Sequence, residues 1–196
     1  MKKLFLLAAA CAAGVNSYSQ SFMHGAGVVA FVQTAAKSDA FAVGGLTYSP
    51  RFNFMEQDNM SLSLGIPLSI GLGGSYNSSY GSYSGESNNL SFIFNVPLVF
   101  NANFGRGSSR DADGRFGFFV GAGYGFHYSS RNQDYHDNVS GDYSASAKSN
   151  TTGPMANTGF RIGVGRVHNI EVKLSYMKGL TDDKPNVFSI GSLFNF

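Results

Sequence analysis

Charged side chains are scarce in this chain of 196 residues, where Asp, Glu, Lys and Arg together make up only 13%. The surface of a soluble domain is commonly about a quarter to a third charged, so there is too little charge to clothe one. Tryptophan is absent, and Cys11 is the single cysteine. Downstream of the first twenty residues no apolar run approaches the roughly 20 residues of a membrane-spanning helix, which excludes a helical membrane protein. The formal charge of +2 arises from 14 basic and 12 acidic residues. Two of the basic ones, Lys2 and Lys3, sit at the extreme N-terminus, which leaves 12 against 12 in the rest. A neutral chain with no basic stripe is not an electrostatic nucleic-acid binder.

The opening MKKLFLLAAACAAGVNSYSQ has a basic start at Lys2 and Lys3, an apolar stretch from Leu4 to Ala13, and a small-x-small site at Ser17-Tyr18-Ser19. That order is a secretory signal peptide. The expected organisation is a cleaved signal over 1–19 and one domain over 20–196. Cys11 falls in the signal, and its acylation behind Ala8-Ala9-Ala10 would leave an unusually short apolar stretch. The mature chain therefore has no thiol for a disulfide or a metal.

What the chain has in quantity is alternation. From Met60 to Gly73 every even position is bulky and apolar (Met60, Leu62, Leu64, Ile66, Leu68, Ile70, Leu72), and the odd ones are Ser, Gly or Pro. Period two is a strand signature, and the run is longer than the 5–6 residues usual in globular strands. It suits a tilted transmembrane strand of roughly 9–11 residues. Eight such segments follow from the sequence: Phe22–Gln33, Ala40–Phe52, Met60–Gly73, Leu90–Phe104, Arg115–Ser129, Pro154–Gly165, Ile170–Leu180 and Asn186–Phe196. Polar stretches separate them. The longest are 74–89 and 130–153, rich in Ser, Tyr, Asn and Gly, which read as loops.

The second face of these strands decides their surroundings. It is mostly Gly, Ser and Asn, too poor in Lys and Glu to meet water, while the apolar face is too bulky for the interior of a small barrel. Lipid outside and a small polar lumen inside is the arrangement that fits. Backbone groups cannot stay unpaired in hydrocarbon, so the sheet must close. The expected fold is all-β: a closed eight-stranded antiparallel up-and-down transmembrane β-barrel. With both ends on the periplasmic side, the two long polar segments fall outside. Phe22, Phe52, Phe104, Phe116 and Phe196 then mark the inner interface, and Tyr128, Tyr176 and Phe188 the outer one.

The domain resembles the small eight-stranded outer-membrane barrels, the OmpA-domain and OmpX-like class. The segments Ile66-Pro67-Leu68 and Val96-Pro97-Leu98 are similar to those of the porin-like barrels of that broad family. Terminal Phe196, with Phe194, Ile190 and Phe188 at alternate positions, resembles the signal such proteins present to the barrel-assembly machinery, although Ser192 interrupts the pattern. The resemblance implies an integral protein of the bacterial outer membrane whose partners are outer-membrane lipid and that machinery. It implies no cofactor, no metal and no catalysis, with a structural or surface-interaction role. Loops 74–89 and 130–153 are the candidate contacts for an extracellular ligand, because Tyr- and Ser-rich loops adapt to partners.

Arg115, Arg161, Glu171, Lys173 and His127 carry the inward parity and form the expected lumen polar cluster. Strands six and seven are joined by a short turn, so Arg161 and Glu171 should meet, and buried charges persist only when paired. A salt-bridged plug is the plain reading; a narrow path for water, ions or small solutes is the alternative. His127-Tyr128-Ser129 resembles the His-x-Ser pair of the outer-membrane lipid A deacylases, in which His would activate Ser. The acid would have to come from Asp134, Asp137 or Asp142, and both residues face the lumen rather than lipid. Asp111-Ala112-Asp113-Gly114 is similar to the start of a calcium loop but lacks its further ligands, so it reads as a charged turn. Finally, proline removes a ladder hydrogen bond. Pro67 and Pro97 should therefore share a bulge or bend near mid-depth.

Overall fold

The computed structural model describes residues 19–35, 38–79, 85–110, 112–137, 143–181 and 184–196. The expected signal peptide therefore lies outside the described residues, except for Ser19. The alternating segments form β1 (Ser19–Ala35), β2 (Ser38–Gln57), β3 (Met60–Gly65), β4 (Leu68–Ser79), β5 (Gly85–Gly105), β6 (Phe116–Asp137), β7 (Tyr143–Val164), β8 (His168–Lys178) and β9 (Asn186–Asn195). All neighbours pair antiparallel. β3 and β4 each lie between β2 and β5, so they are the two halves of one strand. β1 pairs with β2 on one side and β9 on the other, from Gly25↔Asn195 to Thr34↔Asn186. The hydrogen-bonded ring is thus eight strands around, with no free edge at membrane level, as hydrocarbon demands.

Each strand sorts its side chains by parity. Leu46, Ile70, Leu98, Phe118, Leu174 and Ile190 are exposed on the outside, while Val43, Val99, Phe119 and Leu193 are buried inside. An outer surface of such residues is a lipid belt, since no soluble monomer exposes so continuous an apolar face. Phe22, Phe52, Phe116 and Phe196 are exposed at the end holding both termini, and Phe188 and Tyr176 toward the other.

The prolines behave differently from expectation. β3 and β4 are interrupted at Ile66-Pro67, but the register does not shift: Gly65↔Val99 and Ser69↔Asn95 belong to one frame. There is no bulge, and β5 runs unbroken through Pro97, which pairs with Gly125. In that frame Pro67 falls opposite Pro97, so the two missing donors share one gap. Ile66 keeps its own bond, donating N–H to the Pro50 carbonyl at 3.1 Å.

The two expected long loops are largely strand. Gly74–Ser79 pairs with Gly85–Leu90, and β6 pairs with β7 as far as Tyr135↔Tyr143. Their polar composition reflects strands standing above the lipid, where neither face has to be apolar. Residues 80–84 and 138–142 lie outside the described residues.

Candidate functional site

Register fixes the centre of the lumen. Arg161 on β7 sits directly opposite Glu171 on β8, and its Nε donates to Glu171 Oε2 at 2.7 Å. Arg51 on β2, across the barrel, donates from Nη1 to the same oxygen at 3.0 Å. Asn195 Nδ2 donates to it at 3.2 Å. Arg161 also donates to Asn103 Oδ1 at 3.1 Å, and its guanidinium lies 4.4 Å from the centre of the Phe119 ring. All three charged groups are at most 6% exposed. A carboxylate shared between two guanidiniums from opposite walls cross-braces the barrel at this level.

The sequence did not single out Arg51. The parity of strand two is obscured at Gly44-Gly45, but Leu46, Tyr48 and Phe52 are outward, which puts Arg51 inward. Arg115, expected in the cluster, is not there. It is exposed in the bend before β6 begins, with its guanidinium 5.9 Å from the Phe116 ring. Strand parity does not extend past the end of the strand.

The turn from β5 to β6 completes the seal. It does not hang free as a simple charged turn; its first half folds into the mouth of the barrel. Gly107 O accepts from Arg51 Nη2 at 3.4 Å and from Arg161 Nη1 at 3.3 Å, and Ser108 O accepts from Asn53 Nδ2 at 3.0 Å. Arg106 ties this segment to the next turn, donating to Gly165 O at 2.9 Å and His168 O at 3.1 Å, and to Ala112 O at 3.0 Å. Gly105 and Gly107 have φ of 66° and 76°, the left-handed region that costs glycine nothing. A Cβ on Gly107 would also stand 2.9 Å from Arg161 Cδ. Asp111 lies outside the described residues.

The other half of the lumen is closed by apolar packing. Phe31, Val43, Ile93, Met155, Met177 and Val187 form a buried cluster. His127 is 1% exposed within this region. Its Nδ1 lies 3.1 Å from Asn95 Oδ1 and its Nε2 3.0 Å from Gln33 Oε1. His127 is therefore well away from the Arg–Glu group, so the expected single cluster is two layers. Ser129 is also buried on the lumen side. The side chains of Asp134, Asp137 and Asp142 lie outside the described residues. Between the two layers Lys173 lines a cavity of about 20 Å³.

The C-terminal strand places Phe188, Ile190 and Phe194 on the lipid face, with Ser192 exposed among them. Phe196 lies just beyond β9; its N–H donates to His24 O at 2.9 Å, and its ring is 4.3 Å from the His24 ring.

No family model matches the chain, and no curated protein matches it. Among solved structures the chain is similar to Neisserial surface protein A, at 10% identity over 90% of this chain and 97% of that one, with a TM-score of 0.50. It is also similar to Ail, the attachment invasion locus protein of Yersinia pestis, at 10% identity over 90% and 98% of the two chains, TM-score 0.45. A further similarity is to the outer membrane enzyme PagL, at 14% identity over 87% and 98%, TM-score 0.35. These likenesses are of fold. The closed ring, the apolar belt and the plugged polar interior define a small eight-stranded β-barrel of the outer-membrane class, integral to the bacterial outer membrane.

Proposed function

We propose that the protein is a sealed, non-catalytic outer-membrane barrel that presents an extracellular β-sheet wall to a ligand or partner. The observation that carries this reading is the height of β5–β7. Above Tyr128, near the outer interface, β6 continues for nine residues to Asp137, about 30 Å of strand at roughly 3.4 Å per residue. It stays paired on both sides, from Gly85↔Asp137 and from Tyr135↔Tyr143. The β8–β9 turn stops lower: Leu180 N–H to Thr152 O is the outermost described backbone bond on that side of β7. Among the described residues, 143–150 of β7 thus have backbone partners on the β6 side only. An unpaired edge is a template for an added strand, and the surrounding Tyr, Ser and Asn side chains suit adaptable contacts.

The lumen supports the same reading, because the cross-braced Arg–Glu layer and the apolar layer block a solute path from both directions. His127 and Ser129 face this interior, where a lipid substrate does not reach, which disfavours a deacylase. The apolar alternation of Phe188, Ile190, Phe194 and Phe196 serves the assembly machinery, and cleavage after Ser19 releases the mature barrel.

A wall-trimmed variant tests the surface role. With residues 76–89 and 130–150 replaced by short turns, the barrel should still show the heat-dependent gel shift of a folded barrel. Vesicles bearing it, presented to an array of glycans and extended peptides, should lose at least tenfold of the binding that wild-type vesicles show to some probe. Identical profiles for the two would overturn the role assigned to the wall.

A further inference from the structure

A trough of about 670 Å³ crosses the lipid face of the barrel over β1, β9, β8, β7 and β6. Register gives its form. The upper bank is the row Val32, Phe188, Tyr176 and Ala156, cross-strand partners in that order. The lower bank is the next outward row, Ala30, Ile190, Leu174, Thr158 and Val120. Between the banks lies the backbone of Asn157, Ser175 and Ser189, whose side chains belong to the lumen face, and it forms the floor. Rows two residues apart are separated by about 7 Å, and five strands span about 20 Å, so the trough is long and narrow. Ala30 and Ala156 are too small to fill it. Thr158 turns its hydroxyl away, donating to the Phe119 carbonyl at 2.9 Å, so the lining is apolar.

Depth and charge select the occupant. Tyr176 and Phe188 mark the outer interface, which places the trough just beneath the headgroups of the outer leaflet. The row directly above is polar: Thr34, Asn186 and Lys178, again cross-strand partners. Tyr176 Oη donates to Asn186 Oδ1 at 2.7 Å, so the ring stays in the trough while its hydroxyl joins this polar row. Lys178 is exposed and has no ion pair among the described residues; Asp182 and Asp183 lie outside them. An ammonium above an apolar trough is the complement of an anionic headgroup above an acyl chain. Other occupants fit poorly. A helix is about 10–12 Å across, too wide to enter between the banks. An extended peptide would leave its backbone unpaired in hydrocarbon. A second barrel would gain a footprint far short of the roughly 800 Å² per partner of a stable interface.

We propose that the trough binds one acyl chain of an anionic outer-leaflet lipid, whose phosphate is held by Lys178 with Asn186 and Thr34. Barrel strands tilt by about 35–45°, so a trough at right angles to them descends obliquely into the leaflet and follows a chain down from its headgroup. The site lies on the lipid-facing wall and is independent of the role assigned to the extracellular sheet.

The test places the folded barrel in nanodiscs of lipid A and phosphatidylcholine in equal amounts and releases it for native mass spectrometry. Wild type is expected to retain one lipid A. Retention should fall about tenfold in Lys178→Gln, the loss expected of one charge-assisted contact. It should fall as far in Ala156→Phe, whose ring fills the trough from the lipid side. Ala26→Phe, exposed on the same face of β1 but outside the trough, should retain lipid A as wild type does, and all three variants should keep the heat-dependent gel shift. Wild type without retained lipid, equal retention of phosphatidylcholine, retention unchanged in Lys178→Gln or Ala156→Phe, or retention lost equally in Ala26→Phe would each overturn the proposal. So would a lipid-free dimer that Ala156→Phe separates, because the trough would then seat a second copy.

Discussion

Replacing Glu171 by glutamine is expected to lower the stability of the barrel by about 3–5 kcal/mol, the usual cost of removing one partner from a buried charge network. The glutamine is nearly isosteric, so the loss is electrostatic rather than one of volume. It leaves Arg51, Arg161 and Lys173 as three cations with no carboxylate, in a space from which water is largely excluded. Urea unfolding of the barrel in lipid vesicles, followed by far-ultraviolet circular dichroism, measures it; the chain has no tryptophan to report by fluorescence. The informative companion is the quadruple variant Arg51→Met, Arg161→Met, Glu171→Leu, Lys173→Met. Apolar replacement of a whole buried network is often neutral or stabilising, so this variant should lie within about 1 kcal/mol of wild type or above it. A Glu171→Gln loss under about 1 kcal/mol would show that the cross-brace contributes little.

Leu98→Arg is expected to cost about 2–4 kcal/mol, and Leu90→Arg about 0–1 kcal/mol, in the same assay. Both residues point outward from β5 and both are exposed, at 49% and 61%. They differ in depth. Leu98 lies midway between Phe104, toward the inner interface, and Phe92, toward the outer one, whereas Leu90 lies two residues above Phe92. Charge on the lipid face of a barrel is penalised by depth, steeply at the midplane and little at the edges. An outer face in water would make both substitutions nearly neutral, so the contrast between them reports on the lipid itself.

Much of this was legible in the sequence because the relevant physics is periodic. Two-residue alternation assigns lipid and lumen faces one strand at a time, and a tight turn between β7 and β8 brings Arg161 to Glu171 without further information. The features that escaped depend on what alternation does not encode. Arg51 reaches Glu171 across the barrel, a contact between strands far apart in the chain. Arg115 shares inward parity but stands in the bend one residue before β6 begins. The β5–β6 segment reads in the sequence only as a charged turn, because the contacts of Gly107 and Ser108 in the mouth of the lumen are made to Arg51, Asn53 and Arg161 on distant strands. The wall was hidden because strands standing above the membrane no longer need an apolar face, so Ser, Tyr and Asn there read as loop. The facing prolines showed where the third strand would break. They did not show that Pro67 and Pro97 could share one gap and leave the register intact.

The closed lumen is tested most directly by planar-bilayer recording on the refolded full-length barrel. With Arg51, Glu171, Arg161 and the Gly107 turn sealing one half and Phe31, Ile93 and Met155 the other, the expected result is a baseline without discrete conductance steps in molar potassium chloride. Stable, ohmic openings of wild-type protein would contradict it.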